Sequence, residues 1–243
     1  MKINKDFVKS SIEQDINHYF DATINIGLWE SEKYAFNKYF NKRDTILDIG
    51  CGTGRTTFAL FEEGYKNITG LDLSPKMIDE AKKISLNKKN NVEFIVGDAT
   101  KLPYQDESFS NIIFSFNGFM QIPSSQLREK TLYEIKRVLK KGGHFIFTTH
   151  DRGEDKAFLE FWKNEEKLWR NGKQNPRLFE FGDILSPLSK GTFIHIPTKI
   201  EVVKLIEKLD LKLIEDFYRS DLFNESKEVK KFSNECRFFI VQK

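Results

Sequence analysis

The sequence predicts an α/β fold in which one parallel sheet is covered by helices on both faces. Between Thr45 and His150, short apolar runs alternate with longer segments of helical periodicity. This alternation is typical of right-handed strand–helix–strand crossovers. The first apolar run leads directly into a glycine-rich stretch, ILDIGCGTGR at 46–55. A strand, a glycine turn and a helix in this order indicate a ligand cradle, because free N–H groups at the helix start face the turn.

Five strands and three helices account for this repeating part of the chain. One helix is predicted to begin after the capping residue Ser74, because Pro75 occupies the favoured first position and Met77, Ile78 and Ala81 follow with helical spacing. The other two helices are predicted over 53–64 and over 126–140, the latter with a basic last turn and a glycine stop. The strands are predicted at 45–50, 67–73, 92–98, 111–116 and 144–150.

The pattern changes after His150. A helix is predicted over 156–169, two strands over 177–184 and 191–196 as a hairpin, a second helix over 198–209, and two last strands over 211–218 and 236–243. We therefore expect a single domain over 1–243. It contains a doubly wound, seven-stranded, mostly parallel sheet, an N-terminal helical cap over 1–42 and an insertion over 151–197 after the fifth strand.

Composition narrows the class of protein. The 243 residues are 39% hydrophobic and include 23 Phe, which is enough for a sizeable core. The formal net charge is +3 with both signs mixed along the chain, which argues against a dedicated nucleic-acid binder. Cys51 and Cys236 do not make a disulfide framework. With no signal peptide and no apolar run of about 18 residues, we expect a cytoplasmic protein that does not span a membrane.

The spacing of the glycines separates two cofactor classes. Dinucleotide-binding loops carry G-x-G-x-x-G, whereas Gly50, Gly52 and Gly54 give G-x-G-x-G, with Arg55 at the place of the third dinucleotide glycine. A nicotinamide-dependent oxidoreductase also places an acidic residue on a ribose, but this spacing argues against that alternative.

Four ordered motifs resemble those of the class I S-adenosylmethionine-dependent methyltransferases. They are DIGCGTG after the first strand, GLDLS after the second, VEFIVGDATKLPY after the third, and FSNIIFSFNGFMQI at the fourth. The resemblance covers about 44–150. It implies the Rossmann-like fold of that family, S-adenosylmethionine as the cofactor and S-adenosylhomocysteine as the product.

The resemblance also implies which residues contact the cofactor. The Asp72 carboxylate would accept hydrogen bonds from both ribose hydroxyls, and Asp98 would meet the adenine amino group, with the N–H of Ala99 on a ring nitrogen. Leu73 and Met77 would pack on the adenosine, although plain core packing is an equal alternative for both. The complete set of expected cofactor contacts is Asp48, Gly50, Cys51, Gly52, Asp72, Leu73, Met77, Asp98, Ala99, Phe116 and Asn117.

Methyl transfer needs alignment of a nucleophile and exclusion of water more than it needs a metal or a covalent intermediate. No metal site is predicted, and Tyr19, His150 and His195 are the candidate acid–base groups. Aromatic residues of the insertion and of the N-terminal cap suggest an acceptor lid over an apolar pocket. We expect a small organic acceptor that is methylated at O, N or C, and a monomer or homodimer. Methylation of a protein or RNA, and cofactor binding without catalysis, remain alternatives.

Overall fold

The computed structural model describes residues 2–154, 158–186 and 191–243. Within these residues the chain forms one sheet of seven strands and a separate hairpin. The strands are β1 (Ile46–Ile49), β2 (Ile68–Asp72), β3 (Glu93–Val96), β4 (Phe109–Phe114), β5 (Leu139–Thr149), β6 (Asp183–Ser186), β7 (Thr192–His195), β8 (Lys212–Tyr218) and β9 (Arg237–Gln242).

The main sheet has the order β3-β2-β1-β4-β5-β9-β8, and β6 and β7 form the hairpin. Strands β1 to β5 run parallel, whereas β9 is antiparallel to both β5 and β8. The predicted seven-stranded, mostly parallel sheet is therefore confirmed. The strand order reverses between β1 and β4, and a crevice at the carboxyl ends of the strands forms at such a reversal.

Ten α-helices and one 3-10 turn surround the sheet in the described part of the chain. They are α1 (Lys5–Glu13), α2 (Ile16–Asn25), α3 (Glu30–Tyr39), α4 (Arg55–Glu62), α5 (Pro75–Asn87), the 3-10 turn Gly118–Gln121, α6 (Ser125–Val138), α7 (Leu159–Arg170), α8 (Lys199–Lys208), α9 (Arg219–Leu222) and α10 (Lys227–Phe232). The predicted start of α5 is confirmed, because the Ser74 hydroxyl accepts the N–H of Met77 at 3.2 Å.

Two predicted boundaries are wrong for physical reasons. Helix α6 ends at Val138 rather than 140, since Leu139 is fully buried and pairs with Phe109 as the first residue of β5. Burial of this side chain outweighs the basic and glycine signals that follow it. Residues 177–182 are not a strand, because the Asp183 carboxylate accepts the N–H groups of Phe179 and Glu180 and holds a turn there.

Helix α1 is fixed to the hairpin rather than to the main sheet. Ile3 and Val8 share a buried apolar cluster with Leu178 and Phe193, and the Ile3 N–H donates to the Arg177 carbonyl at 3.1 Å. The N-terminal cap and the insertion after β5 are therefore joined to each other. In the described ranges, no helix combines the length and the apolar character that crossing a membrane would require.

Candidate active site

The glycine loop leaves its main chain open to a ligand. Gly50 and Gly52 both have positive φ angles, +65° and +55°, which side chains rarely adopt. A Cβ atom at Gly50 would lie 2.6 Å from the Phe114 ring, so Gly50 is required by packing. A Cβ atom at Gly52 would meet only Tyr19, at 4.0 Å. The space beside Gly52 is thus available for a bound molecule.

Asp72 connects the end of β2 to this loop. One carboxylate oxygen accepts the Gly52 N–H at 2.9 Å, and the other accepts the Ser74 N–H at 2.8 Å. Burial raises the pKa of Asp72, and these two hydrogen bonds oppose part of that increase. The carboxylate therefore fixes the loop while its remaining lone pairs face the cavity beside it.

Asp98 lies beyond the end of β3 and is paired with the N-terminal cap. The Lys5 ammonium donates to the Asp98 carboxylate at 2.5 Å and to the Thr100 hydroxyl at 2.6 Å. Burial alone would raise the pKa of Asp98, but the hydrogen bonds from Lys5 and Thr100 outweigh it and lower the pKa. Helix α1 thus places the Lys5 ammonium beside Asp98, after the end of β3. Sequence analysis identified Asp98 but not this partner.

The loop and the strand ends enclose one cavity with about 1020 Å³ of space, part of it open to solvent. We call it the glycine-loop cavity. Of the residues predicted from the sequence, those that line it are Tyr19, Gly50, Cys51, Gly52, Asp72, Leu73, Met77, Asp98, Ala99 and Phe116.

Asp48 and Asn117 lie behind this cavity rather than on its wall. Asp48 is fully buried under the loop, where one carboxylate oxygen accepts the Thr57 hydroxyl at 2.6 Å and the other has no partner. The Asn117 N–H donates to the Thr148 hydroxyl at 2.9 Å. These two residues support the wall from the second layer, which corrects the expectation of direct contact.

The ionisation of Asp48 predicts a dependence of stability on pH. Burial raises the pKa of Asp48 to about 7, against the opposing Thr57 hydrogen bond. The folded chain then binds more protons than the unfolded chain between about pH 4 and pH 7, so this group lowers the free energy of unfolding as the pH rises. Relative to the wild type, Asp48→Asn is expected to gain stability from pH 5 to pH 8. Urea unfolding at both pH values measures it, and parallel pH profiles of the two proteins would contradict it.

The two predicted histidines do not reach the cavity. His150 follows β5, and its Nδ1 lies 2.7 Å from the Glu235 carbonyl. His195 lies on β7 with Nδ1 2.8 Å from the Asp183 carboxylate. It lines a separate cavity between α6, α8 and the hairpin. We therefore withdraw both histidines as candidate bases at this cavity, because neither lines it and His195 faces the separate cavity instead.

Glu180, Asp183 and His195 lie close enough together to resemble a metal-ligand group. Their acceptor atoms are used within the protein, however. Glu180 accepts from the buried Arg128 guanidinium at 2.7 Å, and Asp183 accepts two backbone N–H groups and faces His195. A guanidinium within this group opposes binding of a cation, so we interpret it as a structural network.

Tyr19 is the one predicted acid–base residue that lines the glycine-loop cavity. Burial raises its pKa to about 12, despite a hydrogen bond to the Gln121 side chain. The phenol is therefore neutral at physiological pH. It can donate a hydrogen bond to a ligand.

Several lining residues were missed by sequence reasoning. Lys5, Val8, Thr23, Gln121 and Phe232 all line the cavity, and of these only Gln121 lies within one of the four motifs. The amphipathic pattern of α1 and the Ser226 cap of α10 could have indicated these helices, but not which face meets the loop. In contrast, no described residue of 151–197 lines this cavity; the insertion instead packs against α1.

Comparison with known proteins identifies relatives of this chain. A demethylmenaquinone methyltransferase from Staphylococcus aureus is 32% identical over 152 residues, which are 60% of this chain and 61% of that protein. One from Staphylococcus haemolyticus is 31% identical over 144 residues, 56% of this chain and 58% of that protein. The alignments thus span about three fifths of the length of these curated relatives.

Solved structures share the fold at low identity. A SAM-dependent methyltransferase from Methanosarcina mazei has a TM-score of 0.68 at 23% identity and covers 90% of this chain and 99% of its own. The cyclase SpnF has a TM-score of 0.66 at 15% identity, with 97% and 95% coverage. The methyltransferase domain family matches residues 40–231, a range that includes the glycine loop, Asp72 and Asp98. The chain therefore belongs to the methyltransferase domain family, within the class I S-adenosylmethionine-dependent methyltransferases.

Proposed function

We propose that this protein transfers the methyl group of S-adenosylmethionine to a nucleophilic O, N or C atom of a small organic acceptor. One observation carries this proposal: the open main chain of Gly52 and the carboxylates Asp72 and Asp98 all border the same cavity. Their places at the loop and at two successive strand ends suit the methionine, ribose and adenine parts of that cofactor in order.

The residues of the cavity fit the cofactor. We assign Asp72 to the ribose hydroxyls, Asp98 and the Ala99 N–H to the adenine, and Leu73 and Met77 to packing on the adenosine. Met77 is fully buried at the start of α5, and Leu73 is half-buried. Asp48 lies beneath Gly50, and its unpartnered carboxylate oxygen would attract the cationic methionine end once that carboxyl is ionised.

When bound, the cofactor would supply a methyl group on a positively charged sulfur, which accepts the electron pair of the acceptor while the pair of the S–C bond stays on sulfur. The chain contributes alignment and exclusion of water. Helices α1 and α2 cover the cavity through Val8, Ile12 and Ala22. The insertion braces α1 from behind.

Titration calorimetry with S-adenosylhomocysteine, with NAD as the comparison ligand, tests the cofactor assignment. We expect binding of S-adenosylhomocysteine and none of NAD. Conversion of S-adenosylmethionine to S-adenosylhomocysteine that depends on an added acceptor then tests catalysis. Binding of NAD alone would overturn the family-based assignment, and cofactor binding without turnover of any acceptor would favour a non-catalytic cofactor-binding protein.

Lys5 provides a prediction on cofactor affinity. Its ammonium occupies the Asp98 oxygen that we assign to the adenine amino group, so the two amino groups compete. Lys5→Met is expected to tighten binding of S-adenosylhomocysteine by up to about fivefold, the range of a partly exposed ion pair. Lys9→Met on the same helix is the control, because Lys9 pairs with Asp6 at 3.5 Å and does not line the cavity. Weaker binding by Lys5→Met would mean that the ammonium contacts the ligand.

We also propose a cytoplasmic location and a small-molecule acceptor rather than nucleic acid. Cys51 and Cys236 are both free and buried, which suits a reducing compartment. The near balance of 39 basic and 36 acidic residues gives little support to phosphate-backbone binding.

A further inference from the structure

We infer that the side of the glycine-loop cavity formed by α2 and α10 is the acceptor subsite and that it takes an uncharged aromatic ring, with Phe232 as a specificity-determining residue. This inference rests on the proposed function, because it divides the same cavity between cofactor and acceptor. Three independent observations lead to it: the placement of charge, the arrangement of aromatic rings, and the part of the chain that supplies them.

Every charged residue that lines the cavity is already engaged by a partner within the protein. Among the described residues these are Lys5, Arg55, Asp72 and Asp98. Lys5 pairs with Asp98, Arg55 is held in two contacts by Glu32, and Asp72 holds the loop. The α2 and α10 side presents only aromatic, aliphatic and neutral polar groups. A charged acceptor would lose its hydration there without gaining a partner, so an uncharged acceptor fits.

Aromatic rings from three elements meet at this side. Phe116, after β4, stacks on Phe232 of α10 with ring centroids 4.3 Å apart, and His18 of α2 stacks on Phe232 at 4.7 Å. Tyr19 and Trp29 each approach Phe116 edge to face at 6.0 Å. Phe116 and Phe232 both line the cavity, as Tyr19 does. A flat ring can extend this arrangement by the offset or edge contacts that aromatic rings prefer.

The backbone at Phe116 adopts a strained conformation. Phe116 and Asn117 have positive φ angles of 48° and 60°, which non-glycine residues adopt only when the surroundings fix them. The Asn117 N–H is fixed by the Thr148 hydroxyl. The surroundings therefore hold Phe116 at a fixed place on the cavity wall. A fixed wall residue can position an acceptor ring for reaction.

Four of these rings lie outside the residues that the family model matches. The family match spans residues 40–231, whereas His18, Tyr19 and Trp29 precede it and Phe232 follows it. A cofactor common to a family is held by its common part, while acceptors differ between members. Helix α2 and the last residue of α10 are therefore suited to recognise the acceptor.

One polar pair can orient the ring. The neutral Tyr19 phenol bonds to the Gln121 side chain, and both line the cavity. Together they offer one hydroxyl and one amide, so they can donate to an oxygen of the acceptor and accept from a hydroxyl or N–H. This selects a ring that carries one neutral polar substituent.

The test uses the full chain loaded with S-adenosylhomocysteine and two probes with the same carbon skeleton, naphthol and its saturated form decahydronaphthol. Dissociation constants are measured by titration followed by NMR, so no turnover is needed. We expect naphthol to bind about tenfold more tightly, as aromatic contacts predict, and the charged naphthoate to bind more weakly than naphthol. Equal affinity for the ring and its saturated form, or no binding of either, overturns the inference.

Phe232→Leu is the decisive variant, because Phe232 is half-buried on a short helix and its loss should not unfold the chain. We expect naphthol affinity to fall about fivefold, with decahydronaphthol and S-adenosylhomocysteine affinity unchanged within twofold. Phe161→Leu is the matched control, since Phe161 is 40% exposed and lies on α7 away from the cavity. Equal loss for both probes would overturn the role of Phe232. Failure to bind S-adenosylhomocysteine appears before any probe is added and counts against the proposed function instead.

Discussion

Replacing Glu32 by alanine is expected to lower the free energy of unfolding by about 3 to 5 kcal/mol, the cost of leaving a buried partner charge unpaired. Glu32 is fully buried, and its two carboxylate oxygens accept from Arg55 at 2.6 and 2.7 Å. The same carboxylate accepts the Trp29 N–H at 3.0 Å. The pair thus joins the start of α3 to the first residue of α4, directly behind the glycine loop.

Urea unfolding of the variant measures this effect. Glu30→Ala is the control, because Glu30 lies on the same helix and its side chain is 61% exposed and paired with Lys33. This variant should lower the free energy of unfolding by no more than about 0.5 kcal/mol. The double variant Glu32→Met with Arg55→Met should recover much of the loss, since it removes both charges. A cost below about 1 kcal/mol for Glu32→Ala would show that the Arg55 guanidinium finds another partner or water.

Replacing Asp72 by alanine is expected to weaken binding of S-adenosylhomocysteine by about 2 kcal/mol or more, roughly thirtyfold. Two losses contribute. The variant removes the charge-assisted hydrogen bonds that we assign to the ribose hydroxyls, and it also releases the Gly52 and Ser74 N–H groups that the carboxylate now holds. The glycine loop then loses its fixed geometry before any ligand arrives.

Calorimetry at one temperature checks this prediction, and thermal unfolding of the same sample shows whether the variant is folded. Asp79→Ala is the control, because Asp79 is an exposed carboxylate on α5 a few residues further along the chain. Its affinity should match the wild type. An unchanged affinity for Asp72→Ala itself would remove Asp72 from the cofactor site.

The sheet and the cradle could be predicted from the sequence because their signals are local. The glycines and Asp98 follow strands, Asp72 ends one, and parallel strands bring their carboxyl ends to one edge. Phe232 and Lys5 could not be predicted, since the residues they contact are far away in sequence and no short pattern connects them. The prediction for His195 was wrong for a different reason. Strand alternation shows which residues share a face of the strand, but not which cavity that face lines.

Helix α1 has its packing partners near the other end of the chain. The Lys2 side chain donates to the Leu178 carbonyl, 176 positions away in sequence. Ile3 and Val8 pack in an apolar cluster with Leu178 and Phe193, so this cluster cannot form before those residues have been synthesised. Contacts so distant form late, because loop closure must precede them. During synthesis, the parallel strands β1 to β5 can pair before α1 packs over the glycine-loop cavity. In pulsed hydrogen exchange during refolding, the amides of α1 should gain protection after those of β1 and β4, so the ligand-binding cavity is the last part of the molecule to close.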